Sequence, residues 1–488
     1  MVSSHQTRGL VLAVALAAVS ALRVPLSLPV PRRVANLRAG SSGVNVDELW
    51  AGKGPGDESS SKLRAVPLEL EDDECDIANP TACETDSFSL TTKLNELQEK
   101  GFGSVALLGA TAVSLLLANS QATSAFWSRV WATPLGPSVA GHALSARAWC
   151  NEGLMAVFFF LIGLEIKQEL RKGALTSIKA AALPCIAAIG GMVTPMAVYA
   201  LAQGFLPAAS RSLSGLAVPM ATDIAFAMAI FGLFRSKMPA SSSAFLLTLA
   251  TVDDLGAIAV LATCFAANIS GLYLGAAAGL VGLMGWLGSG PRKCGDARVF
   301  TVGGLALWWS LLKAGIGAEV AGVLAALCVS TDATVKGTSD RLANRLIARL
   351  SPIATFGIMP VFALANTGVS LGEVASASAA AGSAPALGIG LGLLLGKPLG
   401  IYGFTRGAVK CGLAETPKGM EKSHLAIVSA LGAIGFTMCI LLTEVSIPKP
   451  LQALPKLSVL GASTVATLAA AGLMARLPAR PAAAAGSA

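Results

Sequence analysis

Two adjacent carboxylates, Asp253 and Asp254, stand inside the apolar run TVDDLGAIAVLA, and Asp223 stands in the equally apolar PMATDIAFAMAIFGLF. A cation, Lys397, sits in LLLGKPLGIYG. Ionisable groups surrounded by hydrocarbon cost on the order of 3 kcal/mol each on insertion scales, so their presence asks for a chemical reason. Pairing one acid with Lys397 is a purely structural solution, and it leaves two acids unexplained. Neighbours on a helix project about 100° apart, so Asp253 and Asp254 cannot both face one partner. The economical arrangement has one of them neutralise Lys397 while the other joins Asp223 around a mobile cation. Carboxylates are hard oxygen ligands suited to small hard cations, and with no cation bound burial favours the protonated acid. A site that holds a proton or a cation, never both, exchanges one for the other once it can face each side of a barrier.

The elements that must position these groups are membrane helices. Of 488 residues 54% are hydrophobic and only 13% charged, with a mean hydropathy of +0.67, against about 25% charged in soluble domains. The 52 glycines suit close helix approach. The net charge of +8 is no signal for nucleic acid, because most Lys and Arg lie in short loops between apolar runs. The nine cysteines show no metal-ligand spacing and read mainly as small packing residues; only Cys75 and Cys83, in a polar segment, suggest a pair.

Twelve apolar runs long enough to span are predicted, the first at Phe102–Ala118 and the last at Leu457–Met474. The division between the seventh, Val299–Leu312, and the eighth, Ala314–Val329, is the weakest. Alternate loops hold the cations. Lys167, Arg171 and Lys172 open one set, which continues through Arg235 and Lys237, Arg292 and Lys293, Arg341 and Arg345, and Lys410 and Lys418. The opposite set holds only scattered charges such as Arg129, Arg211 and Lys449. The positive-inside rule puts the first set, with both termini, on the cytoplasmic or stromal face. The fourth and eleventh runs are interrupted, by Pro219 before ATDIAFA and by Gly432 and Gly435 in ALGAIGFTMCI. Paired interruptions in two halves point to an inverted repeat with a binding site near the midplane.

The first 46 residues carry five arginines, Arg8, Arg23, Arg32, Arg33 and Arg38, and no acid. GLVLAVALAAVSA reads as a signal-like apolar core, and the Arg-rich stretch after it as a transit-like segment. Residues 1–46 are therefore expected to be a two-part targeting leader of the secondary-plastid kind; a secretory signal, a mitochondrial presequence or a membrane anchor are the alternatives. Residues 47–100, with LELEDDECD, form a polar acidic tail, residues 101–476 the membrane domain, and residues 477–488 a carboxyl-terminal tail.

The runs ATDIAFAMAIFGLFRSKMP, LTLATVDDLGAIAVLA, GIMPVFALANTGVSL, LLLGKPLGI and LGAIGFTMCI, with NEGLMAVFFFLIGLEIKQEL near the second span, closely resemble the NhaA-type sodium/proton antiporters from about Asn151 to Ala470. The resemblance implies an all-α membrane fold of about twelve helices, with inverted repeats and two broken, crossing helices, an architecture of which this family is itself a familiar example. It implies that Asp254 is the principal sodium-binding and proton-carrying acid, that Asp253 pairs with Lys397, and that Thr222 and Asp223 stand at the break of the fourth helix. Asp223 and Lys397 would offset the like dipole ends of the crossing helices, Thr222 would add a neutral oxygen to the ion, and Asp254 and Asp223 would hold Na+. Glu165 keeps its family place as a candidate for the pH response. Asn151 and Glu152 stand where an acid could draw cations in, although a plain surface charge is the simpler reading of Glu152. Some residues depart from the family pattern. Gln168 replaces an Arg, Ile347, Ala348 and Ser351 stand where a Glu and two His can gather, and Gly317 stands where many relatives have His. The residues tied to alkaline sensing are thus largely missing.

Two rivals are weaker. A sodium-coupled symporter would need more polar groups than Thr222, Thr437 and the acids, and an intramembrane aspartyl protease would need a Gly-x-Gly-Asp motif that TVDDLG does not supply. No enzymatic activity and no cofactor is expected. The expected partners are Na+, with Li+ as a candidate second cation, H+, the lipid bilayer and a second copy of the chain. Monovalent cation and pH homeostasis would follow, in a plastid envelope or thylakoid membrane or, alternatively, a plasma membrane.

Overall fold

The computed structural model describes residues 102–139, 142–173, 178–207, 211–264, 269–289, 296–330, 341–374 and 378–478. The expected leader, acidic tail and last residues of the carboxyl-terminal tail lie outside these, as does the proposed Cys75–Cys83 pair.

Among the described residues nine helices are long and apolar enough to cross a membrane. Three further segments, Val218–Leu233, Ala297–Ala314 and Val320–Cys328, bring the number to the twelve expected. In chain order α1 is Phe102–Asn119, α2 Ser124–Ala132, α3 Met155–Lys172 and α4 Ile178–Gly204. They are followed by α5 at Ile224–Leu233, α6 at Ala240–Cys264, α7 at Gly271–Ser289, α8 at Ala297–Ala314 and α9 at Val320–Cys328. The second half holds α10 Leu342–Ile353, α11 Met359–Asn366, α12 Ser378–Leu391, α13 Lys397–Lys410, α14 Lys422–Gly432, α15 Phe436–Ser446 and α16 Ala453–Arg476.

Three joints inside long spans are π-helical turns: Trp149–Leu154 before α3, Ala354–Ile358 before α11 and Gly392–Gly396 before α13. The last two precede Pro360 and Pro398. A proline cannot donate to the carbonyl four residues back and crowds it, so a widened turn lets the helix continue past it. Lys397 begins α13 at the end of such a turn, which makes its position a consequence of the GKP sequence.

Two features differ from the sequence expectation. An antiparallel hairpin, Pro134–Val139 with His142–Ser145, lies between the first two spans, where only a loop was foreseen. The eighth span is also short: α9 has nine helical residues, because Gly315 takes a left-handed conformation (φ 79°) and ends α8. Close packing of α9 on α3 depends on Gly322, where a Cβ would lie 2.0 Å from the carbonyl oxygen of Ala156.

Candidate ion-binding site

Both broken spans stop at the same place. The fourth runs as a short 3-10 turn, Val218–Met220, opens at residues 221–223 and resumes as α5. The eleventh ends α14 at Gly432, opens at residues 433–435 and resumes as α15. The two openings bind each other directly: the Asp223 amide donates to the Ile434 carbonyl at 2.7 Å, and the Thr222 hydroxyl lies 3.0 Å from the Gly432 carbonyl. Free backbone groups within a membrane need partners inside the protein, and each opening supplies them to the other.

Asp223 is the hinge of this arrangement. Its Oδ1 accepts the Phe226 amide at 3.0 Å, capping α5. Its Oδ2 accepts the amide of Thr437 at 3.2 Å and the Thr437 hydroxyl at 2.5 Å, at the start of α15. One negative carboxylate therefore lies at the positive ends of two helices, where helix dipoles favour it. The opposite ends have their own compensation, since the Lys397 ammonium donates to the Met220 carbonyl, where the first half of the fourth span stops. Thr437 as the second partner of Asp223 was not foreseen, because its place is set by the crossing and not by any local spacing.

On α6 the adjacent acids part as the 100° rule requires. Asp253 Oδ2 lies 2.7 Å from the Lys397 ammonium and accepts the Thr222 hydroxyl at 2.7 Å. Lys397 is wholly buried. Asp254 points elsewhere, is 1% exposed, and neither of its carboxyl oxygens has a hydrogen-bond partner. It is near enough to Asp253, Asp223, Lys397 and Glu165 to interact electrostatically with all four. The Thr222 hydroxyl donates to Asp253 Oδ2 at 2.7 Å and lies 3.0 Å from the Gly432 carbonyl. Among the described residues no group of three or more His, Cys, Asp or Glu gathers as a metal cage.

Other charges are placed differently from a reading by loops. Lys167 is buried and donates to the carbonyls of Leu327 and Val329, closing the end of α9, so it is not a loop charge. Glu165, on the same helix, is half-buried. Glu152 is not a solvated surface acid either: it is half-buried, and its Oε2 accepts the Ala318 amide at 3.1 Å. Asn151 is hydrogen-bonded with Asn366 of α11. A buried ion pair, Lys456 with Glu444, joins α16 to α15 and was not anticipated.

Residues 95–474 match the family model described as Na+/H+ antiporter 1. The protein named Na(+)/H(+) antiporter NhaA of Aliivibrio salmonicida is 39% identical over 368 residues, 75% of this chain and 92% of that relative. Proteins of the same name from Vibrio cholerae and Vibrio parahaemolyticus are each 38% identical, the first over 75% of this chain and 92% of its own length, the second over 77% and 95%. With its acids, its lysine and both of its helix breaks inside the matched region, the chain belongs to the NhaA-type sodium/proton antiporter family.

Proposed function

We propose that this multi-pass membrane protein exchanges Na+ for H+ by alternating access, with Asp254 as the group that carries each in turn. The observation behind this reading is the pair of unpartnered oxygens on Asp254, a carboxyl buried beside the meeting point of two helix breaks. A buried carboxyl with no protein partner is costly as a bare anion, so it holds either a proton or a cation. Na+ can bind only after the proton leaves, which couples the two flows. Asp253 is committed to Lys397 and keeps that ammonium paired through the cycle. Asp223 accepts two protein hydrogen bonds on Oδ2 and one on Oδ1, so the lone pair left on Oδ1 serves as the second ligand of Na+ while the carboxylate holds the crossing together. Thr222 donates to Asp253, and its oxygen lone pairs remain to add a neutral ligand to the ion. Few protein ligands and an adjacent helix break suit a cargo ion that must leave as readily as it arrives.

Li+, a smaller hard cation, is proposed as an alternative cargo, and a homodimer as the working unit. Residues 1–46 are proposed to be a targeting leader, since they precede the family match and carry arginines without acids. Their composition favours an organellar envelope, whereas the named relatives come from bacteria, for which a plasma membrane is the corresponding site. Expression of the full chain with a carboxyl-terminal tag, followed by imaging and amino-terminal sequencing, separates the two.

The exchange itself is tested in proteoliposomes that enclose an acidic, fluorescent-dye-loaded lumen. Adding Na+ outside is expected to collapse the proton gradient, and adding choline is not. A gradient that persists in Na+ at every pH would refute the reading.

A further inference from the structure

A second carboxyl pair lies outside this site, where α9 begins against the π-helical turn before α3. Glu319 is 3% exposed. The Ala318 amide, which donates to Glu152 Oε2 at 3.1 Å, belongs to the residue just before Glu319 and brings the two carboxyls together, while Glu319 Oε1 has no partner. Glu152 is fixed from the other side: its backbone carbonyl accepts the indole N–H of Trp308 at 2.7 Å. Trp308 stacks on Trp149 with ring centroids 5.8 Å apart, which shields the pair. Gly317 leaves the space that the Glu319 carboxyl fills, since a Cβ there would lie 2.5 Å from Glu319 Oε1. Any side chain at position 317 would therefore evict this carboxyl.

Among the described residues no salt bridge is made to either acid. Arg147, before the π-helical turn, has an Nε without a partner, and the Lys313 ammonium lies over the Trp309 ring at 5.4 Å. Asn366, facing from α11, is neutral and engaged with Asn151. Glu165, thirteen residues along the same span, lies about 20 Å away at 1.5 Å per residue, with Lys167 farther still. Two neighbouring carboxyls can satisfy each other only with a proton between them, because neither carboxylate can donate. Ionising both would bring two like charges together without a partner.

We propose that Glu152 and Glu319 form a second proton-binding site, holding one shared proton at the end of the bundle opposite the Lys- and Arg-rich loops. The site takes up and yields its proton on that side, independently of Asp254. Any influence it has on exchange rests on the antiport reading; the proton site does not.

Infrared difference spectroscopy of the purified full chain, stepped from acid to alkaline pH, tests this directly. Wild type is expected to lose a protonated-carboxyl band that is missing from both Glu319→Gln and Glu152→Gln. Persistence of every such band in both variants would overturn the proposal, whatever their transport activity. Should the Gln variants fail to fold, Glu319→Asp keeps an acid but shortens its reach. The proposal then expects a shifted titration midpoint for the band, and an unshifted one would overturn it. Sodium-driven proton flux measured on the same preparations distinguishes failure of the antiport reading, which would silence wild type while leaving the band.

Discussion

Thr437 gives both its amide and its hydroxyl to one oxygen of Asp223, at 3.2 and 2.5 Å, while the other oxygen of that carboxylate holds Phe226 at 3.0 Å. The starts of α5 and α15 are thus tied to a single buried charge. Because these half-helices come from spans far apart in sequence, one side chain sets how the two breaks are aligned around Asp254.

Replacing Thr437 with Val keeps the shape and the amide contact but removes the hydroxyl. Hydrogen bonds to charged groups contribute about 1.5–3 kcal/mol, so Thr437→Val is expected to melt measurably below wild type and to bind Na+ more weakly. Thr437→Ser should restore both. Identical melting of the Val variant and wild type would show that the amide alone suffices.

Asp253 and Lys397 form the other fixed relationship, at 2.7 Å with both side chains buried. Asp253→Asn leaves the ammonium without its countercharge, a change that typically costs about 3–5 kcal/mol. Combining it with Lys397→Met removes the stranded cation, and the double variant is expected to melt above the single one. A double-mutant cycle in unfolding measures the coupling; additive effects would mean the pair is not energetically linked.

Gly322 packs its α-carbon against backbone of the span that contains α3. Its Cβ would meet the Ala156 carbonyl oxygen at 2.0 Å and the Phe160 amide nitrogen at 2.8 Å, and neither atom can swing aside. Overpacking of this kind costs about 1–3 kcal/mol or more, so Gly322→Ala should lower the yield of folded protein. Gly407→Ala, with no atom within 4 Å of the new methyl, is the control and should be silent. Equal yields from the two variants would contradict the observed helix approach.

Proton and sodium compete for Asp254, so exchange should fall as pH falls and the proton-filled form accumulates. The sign follows from exclusion: a protonated carboxyl presents no charge to the cation. With Ile347, Ala348, Ser351 and Gly317 in place of ionisable residues, the activation by alkalinity should be no steeper than one titrating site allows, about tenfold in apparent sodium affinity per pH unit. A profile that switches on more sharply would show coupled titration of several groups.

Much of this site is legible in the sequence because burying charge in hydrocarbon is so unfavourable that Asp223, Asp253, Asp254 and Lys397 stand out against their surroundings. The helix breaks are visible for a similar reason, since Pro219 and the glycines at 432 and 435 remove local helix support. Composition and spacing leave open which of the adjacent acids meets Lys397. Both are buried, and only the place of Lys397 at the start of α13 selects Asp253. By residue type Lys167 reads as a loop cation and Thr222 as a neutral oxygen for the ion, and neither reading shows which protein group holds it. In the fold each is captured by a carbonyl or carboxylate from another span. Glu319 was hidden at an uncertain boundary between two short apolar runs, and the hairpin at Pro134–Ser145 has too little alternation to announce itself.

The account rests on Asp254 being the carrier and Asp253 the structural partner, and sodium-induced proton release from purified protein tests this most directly. Wild type in weak buffer should acidify the medium when Na+ is added, while Asp254→Asn should release no protons and melt close to wild type. Asp253→Asn should be the less stable of the two. Robust proton release from Asp254→Asn, or a lower melting temperature for it than for Asp253→Asn, would contradict the assignment of the two acids.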